Sequence, residues 1–211
     1  AKNGAVIVRE DLFFDSAGWG ISPRVLQLRN EDRKTIEGVP VLRELWRDQA
    51  VYLGAMLRTF AESYLEDDKF DVRCLADGVE HTWRGVSDLV VKGTRIYGGL
   101  WVFAPESRPD DGKFEVEPFV GKRDWLSKAI VALDQTGLTE RALGQLGVQH
   151  SEGLSASRIE LELTTADGAL PLCAQIDGEE FPATSHVSIE VQPRRLRLLV
   201  PEAYATTPQA G

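Results

Sequence analysis

The chain has 211 residues, 43% of them hydrophobic and 27% charged, and a formal net charge of −9. This is a globular composition with length enough for a real core, and the acidic balance excludes the basic field that nonspecific nucleic-acid binding needs. No apolar run approaches the ~20 residues of a membrane-spanning helix, and no secretory pattern opens the chain.

In chain order, Ala5–Arg9 and Leu12–Phe14 read as short strands leading into a glycine-punctuated turn, Asp15–Gly20. Ser22-Pro23 then has the form of an N-cap with proline at the first helical position, and predicts a short helix to Leu28. Pro40 to about Tyr64 carries Leu42, Leu45, Trp46, Gln49, Leu53, Met56, Leu57 and Phe60 at helical spacing, which predicts one long helix. After Asp67-Asp68 the period becomes twofold. Phe70–Leu75, an Asp77-Gly78 turn and Val79–Trp83 predict a hairpin, and Ser87–Gly93 a further apolar run. Gly98-Gly99 suggests a bend or close backbone approach, and residues 104–112 an irregular turn. Phe114–Phe119 predicts a strand. A helix begins at Arg123 and runs to about Leu133, with Trp125, Leu126, Ala129, Ile130 and Leu133 inward. Ile159–Leu163, Leu170–Ile176, His186–Val191 and Leu196–Val200 predict short strands, and residues 202–211 a polar tail. The fold class is mainly β with helices (α+β): an antiparallel β-sandwich over residues 1–201 with one long and two shorter helices.

The side chains able to do chemistry are carboxylates. Cys74 and Cys173 read as small buried apolar residues, and the histidines at 81, 150 and 186 are isolated, so no zinc-type spacing occurs. Four Asp-Gly pairs begin at residues 77, 111, 167 and 177. Each is first of all a hairpin signal, because both residues tolerate positive φ. The last pair stands in Gln175-Ile176-Asp177-Gly178-Glu179-Glu180-Phe181, where a strand end would present Asp177 and Glu179 together. A strand-end acid is a sensible place for a general base.

Two stretches together resemble a known family. They are Ile96-Tyr97-Gly98-Gly99 followed by Ala104-Pro105 and Asp110-Asp111-Gly112-Lys113-Phe114-Glu115-Val116, and the later Gln175-Ile176-Asp177-Gly178-Glu179. Their order is similar to that in the C-terminal domain of diacylglycerol kinase and sphingosine kinase-like lipid kinases, over roughly residues 5 to 201. The resemblance implies the substrate and base domain of a kinase that phosphorylates a diacylglycerol-like lipid hydroxyl, with ATP bound mainly by a separate N-terminal nucleotide-binding domain. It implies Asp177 as general base, Glu179 as supporting acid, and Gly98 and Gly99 facing the nucleotide. It further implies a Mg²⁺ site made by the Asp111 side chain with the main chains of Arg108 and Lys113. The expected setting is cytoplasmic, with peripheral membrane contact and a homodimer as further partners to test.

The pattern also departs from the family. No Gly-Gly-Asp-Gly-Thr nucleotide loop occurs, Leu100 stands where a third glycine is expected, and residues 91–94 lack the expected asparagine. On this reading the chain alone is inactive. The rival reading is a non-catalytic β-sandwich module for a lipid or protein partner, in which Asp177 is only a turn residue. A carboxylate-pair glycosidase is a distant third, since no pair is placed in a cleft by sequence.

Overall fold

Strand-forming residues here pair antiparallel throughout. The computed structural model describes residues 9–26, 69–97, 101–105, 107–133, 138–147, 150–165 and 172–197. Its strands are β1 (Ser16–Gly20), β2 (Phe70–Ala76), β3 (Val79–Lys92), β4 (Ile96–Tyr97), β5 (Trp101–Val102), β6 (Phe114–Val120), β7 (Leu154–Ala156), β8 (Arg158–Thr165), β9 (Ala174–Ile176), β10 (Glu179–Phe181) and β11 (His186–Glu190). Its helices are α1 (Gly121–Leu133) and α2 (Leu138–Gln145), and residues 21–26 are also helical. The predicted long helix, the Gly98-Gly99 bend, the turn at Asp167 and the tail lie outside the described residues.

Among the described residues nine strands form one sheet in the order β10-β9-β1-β3-β2-β8-β11, with β6 pairing β3 and β7 pairing β6; β4 and β5 form a separate ribbon. The long β3 belongs to two limbs. Its first half pairs β2, and its second half lies between β1 and β6. The sequence reads as two runs there, yet the strand does not stop. Gly85 adopts φ +65° at the junction, its N–H is held by the Asp71 carboxylate at 2.9 Å, and a register shift follows between Val86 and Asp88. A bulge bends a strand without ending it.

Alternation sets the core. Val72, Cys74 and Ala76 of β2, Leu161 and Leu163 of β8, Leu89 and Val91 of β3, and Phe114 and Val116 of β6 all turn into one buried cluster shared by the two limbs. Full burial of each large member contributes about 1.5–3 kcal/mol. On the opposite face of β3 and β6, Val90 and Phe119 pack with Tyr97 and with Trp125, Ala129 and Ala132 of α1. The mainly β, α+β class holds.

Five expectations are corrected. Leu12–Phe14 is not a strand, and Ser16–Gly20, read as a turn, is the central strand β1. Its glycines serve close approach rather than turning: a Cβ on Gly20 would lie 2.3 Å from the Ser87 carbonyl oxygen. Leu126 and Ile130 are 53% and 46% exposed, because the sheet meets only the Trp125 and Ala129 face of α1. Of the strand expected at Leu196–Val200, residues 196–197 are irregular with Leu196 exposed, and residues 198–200 lie outside the described residues. Cys173 lies outside a strand and is only half-buried, whereas Cys74 is buried and its thiol is pushed up to about 11 by burial. The helix α2 and the strand β7 have no counterpart in the sequence reading.

Candidate functional site

The Asp177-Gly178 turn joins β9 to β10, with φ +48° and +80° at the two residues and Ile176 paired with Glu179. This is the tight hairpin geometry that Asp-Gly favours. Asp177 is exposed, yet its carboxylate is not loose. Oδ2 accepts the main-chain N–H of Phe14 at 2.8 Å, and Oδ1 accepts those of Asp15 at 2.8 Å and Ser16 at 3.0 Å. Its own N–H donates to the Ser16 carbonyl at 2.7 Å. The acid therefore clamps the start of β1 to the end of β9. A carboxylate has about four acceptor positions, of which three are taken. Beneath the turn, buried Gln175 accepts the Gly178 N–H at 2.8 Å and lies 3.3 Å from the Ser16 hydroxyl.

The same device occurs on the other limb. Asp77 opens the β2–β3 turn at φ +45°. Its carboxylate accepts the Ser157 N–H at 3.0 Å, the Ser157 hydroxyl at 2.8 Å and the Arg158 N–H at 2.9 Å, while its own N–H donates to the Arg158 carbonyl at 2.9 Å. The registers correspond: Ala76 pairs with Ile159 as Ile176 pairs with Ala17. The Asp77 carboxyl is held below the usual range, first by the Ser157 N–H, then by the Ser157 hydroxyl, with smaller help from Arg158 and the Lys113 charge. Two of the four Asp-Gly pairs are thus the same clamp.

Glu179 and Glu180 are exposed at the start of β10, so the hairpin carries Asp177 and Glu179 at one end of the sheet. Asp111 lies in a different turn. It is exposed, and its Oδ1 accepts the Lys113 N–H at 2.9 Å. Arg108 contacts the neighbouring Asp110 through Nε at 3.3 Å. Asp111, Arg108 and Lys113 therefore share one loop. Among the described residues no group of three or more His, Cys, Asp or Glu side chains could hold a metal ion. Gly98 and Gly99 lie outside the described residues. A groove of about 590 Å³ opens beside Asp77, Gly112, Arg158 and Glu190; Asp177 does not line it. No helix among the described residues is long and apolar enough to cross a membrane.

Buried charges were missed by sequence reading. Asp88 on β3 is fully buried and accepts the Ser22 N–H at 3.1 Å, the Ser22 hydroxyl and the Trp125 indole N–H at 2.9 Å. Burial pushes its carboxyl up to about 6 against those donors. Lys92 is fully buried and donates to the carbonyls of Thr94 at 2.8 Å and Arg95 at 3.3 Å. Glu117 is pushed up by burial, a shift that Lys128 and Lys92 oppose; Lys128 lies 3.5 Å from it and 2.8 Å from the Pro118 carbonyl. The available signal was a charge inside an apolar strand: Asp88 and Lys92 flank Leu89-Val90-Val91.

No family model matches the chain, and no curated protein sequence matches it. Similar solved structures include a chain from Bacillus anthracis str. Sterne described as "a putative diacylglycerol kinase", at 15% identity and a TM-score of 0.48, covering 86% of this chain and 50% of that one. A diacylglycerol kinase from the same organism gives 13% identity and a TM-score of 0.41, covering 86% and 47%. The chain spans about half the length of the solved structures it matches.

Proposed function

We propose that this chain is the C-terminal substrate and base domain of an ATP-dependent lipid kinase, with Asp177 as general base toward a diacylglycerol-like hydroxyl. The observation that carries the reading is an exposed carboxylate, in the family-like Ile-Asp-Gly-Glu order, aimed by three main-chain donors from a distant part of the chain. Main-chain donors keep a catalytic group in one orientation without reorganisation during the reaction. The acceptor position that remains would take the hydroxyl proton. The lipid oxygen then bonds to the terminal phosphorus, the bond from that phosphorus to its bridging oxygen breaks, and ADP leaves. Glu179 supports from the same hairpin. On this reading the Asp111 side chain, with the main chains of Arg108 and Lys113, would hold a Mg²⁺ ion, which would supply neutralisation of phosphate charge. ATP itself requires a nucleotide-binding domain, so the chain alone transfers nothing. A lipid acceptor makes the working protein a peripheral visitor to a cytoplasmic membrane face.

The second reading, a clamp with no chemistry, is favoured by the twin at Asp77. The twin also supplies the control. Asp177→Asn and Asp77→Asn each set an amide against main-chain N–H donors, so both lower Tm. In the full-length protein, assayed well below either Tm, Asp177→Asn is expected to lower kcat at least ~100-fold, while Asp77→Asn leaves it near wild type. Near-wild-type turnover in Asp177→Asn would end the base role, and equal losses in both variants would leave only the clamp.

A further inference from the structure

A hairpin clamp can be built without the side chain that lies beneath Asp177. The residue two positions before the acid is Leu75 at the first turn and Gln175 at the second, and the two hold matching places in their ladders: Leu75 pairs with Glu160 as Gln175 pairs with Gly18. Leu75 is 39% exposed, and its side chain has no group that could hold a main-chain N–H. Gln175 is 4% exposed, and its amide reaches both sides of the acid. Its Oε1 accepts the N–H of Gly178, the residue after Asp177, at 2.8 Å. Its Nε2 donates to the hydroxyl of Ser16 at 3.3 Å. Ser16 is the residue whose N–H Asp177 Oδ1 accepts and whose carbonyl takes the Asp177 N–H. The donor at Gly178 fixes which end of the amide faces the turn. Gly18 leaves the room for it: a Cβ there would lie 3.3 Å from Nε2 and 3.6 Å from Cγ of Gln175.

Burying an amide costs free energy unless its hydrogen bonds are made, and a two-residue Asp-Gly turn closes with a leucine in that place, as the pairing of Ala76 with Val79 shows. What the amide adds is restraint. The Gly178 N–H belongs to the peptide group that follows Asp177, so holding it fixes the chain on the far side of the acid. The bond to Ser16 ties the same side chain to one of the residues that aim the carboxylate. We propose that Gln175 is a positioning residue for the base: its buried amide braces the Asp177-Gly178 turn against the start of β1 and so holds the carboxylate toward the substrate hydroxyl. The inference rests on the reading of Asp177 as base.

The test removes the brace and leaves its bulk. In the full-length protein, Gln175→Met keeps the length of the side chain and loses both hydrogen bonds. Gly178 is exposed, so water can take its N–H, and Tm is expected to change by less than about 3 °C. The kcat is expected to fall about 10-fold, with KM for ATP and for the lipid changed by less than about 2-fold. Gly18→Ala, which crowds the amide from across the ladder, is expected to lower kcat in the same way, and the same readouts are taken on it if Gln175→Met does not fold. The sharpest readout is coupling. In an Asp177→Asn background the Gln175 or Gly18 substitution is expected to leave the residual kcat within about 2-fold, because a brace then has no base to position. Wild-type kcat in the single variant overturns the proposal. A loss of the same size in both backgrounds also overturns it, since that is what a merely structural role predicts. Failure of the base reading is seen separately, as an active Asp177→Asn.

Discussion

At the residue scale the same dipeptide does different work according to what reaches it. Asp77 and Asp177 both clamp an incoming strand, while Asp111, among the described residues, bonds within its own turn, to Lys113. The turn itself is a local property, legible from Asp-Gly. The donors come from residues 80 and more than 160 positions away, and no local pattern announces them. Asp88 was legible only as an anomaly in an apolar run, and its donors come from two distant segments. Because its folded-state pKa, about 6, is raised above its ordinary value of 3.8, its contribution is most favourable below the ordinary value and is lost as pH rises through about 6. Wild type is therefore expected to lose roughly 3 kcal/mol, relative to Asp88→Asn, between about pH 3.5 and pH 7. Urea unfolding of the two proteins at both pH values measures this. Parallel pH dependences would show that Asp88 titrates as an ordinary acid.

At the element scale, hairpins were legible and β1 was not. The β2–β3 hairpin carries its own register in its alternation and its turn, so no other part of the chain is needed to read it. β1 is rich in small residues that signal turns when isolated, and it is a strand because β3 and β9 flank it on both sides. Gly20 shows the consequence. It has φ +106°, and the space for a Cβ is filled by the Ser87 carbonyl. Gly20→Ala is expected to cost about 2–4 kcal/mol in urea unfolding; a change within ~0.5 kcal/mol would mean that β1 and β3 can separate there without penalty. The helix α1 errs in the opposite direction. Its stripe of Leu126 and Ile130 looked inward by period, but amphipathic spacing says only that a face is apolar, not that a partner element meets it.

At the scale of the whole molecule, the proposed division of labour makes one combined prediction. The chain by itself, given ATP, Mg²⁺ and a diacylglycerol, is expected to release no ADP, yet millimolar Mg²⁺ is expected to raise its Tm by a degree or more on the order of a weak, hydrated site, and Asp111→Ala to abolish that rise. Turnover by the isolated chain would remove the need for a separate nucleotide lobe, and a Tm indifferent to Mg²⁺ would remove Asp111 as a ligand. The sequence by itself determined the fold class, the hairpin turns and the family-like order of motifs, because alternation and turn chemistry are properties of neighbouring residues. Only the tertiary structure decided that the glycine-rich segment at 16–20 is a central strand, that two buried charges flank the heart of β3, and that Asp77 and Asp177 each clamp a distant segment of the chain. Each of those depends on a contact between residues far apart in the chain, and such contacts are set by how the limbs pack rather than by what stands next to what.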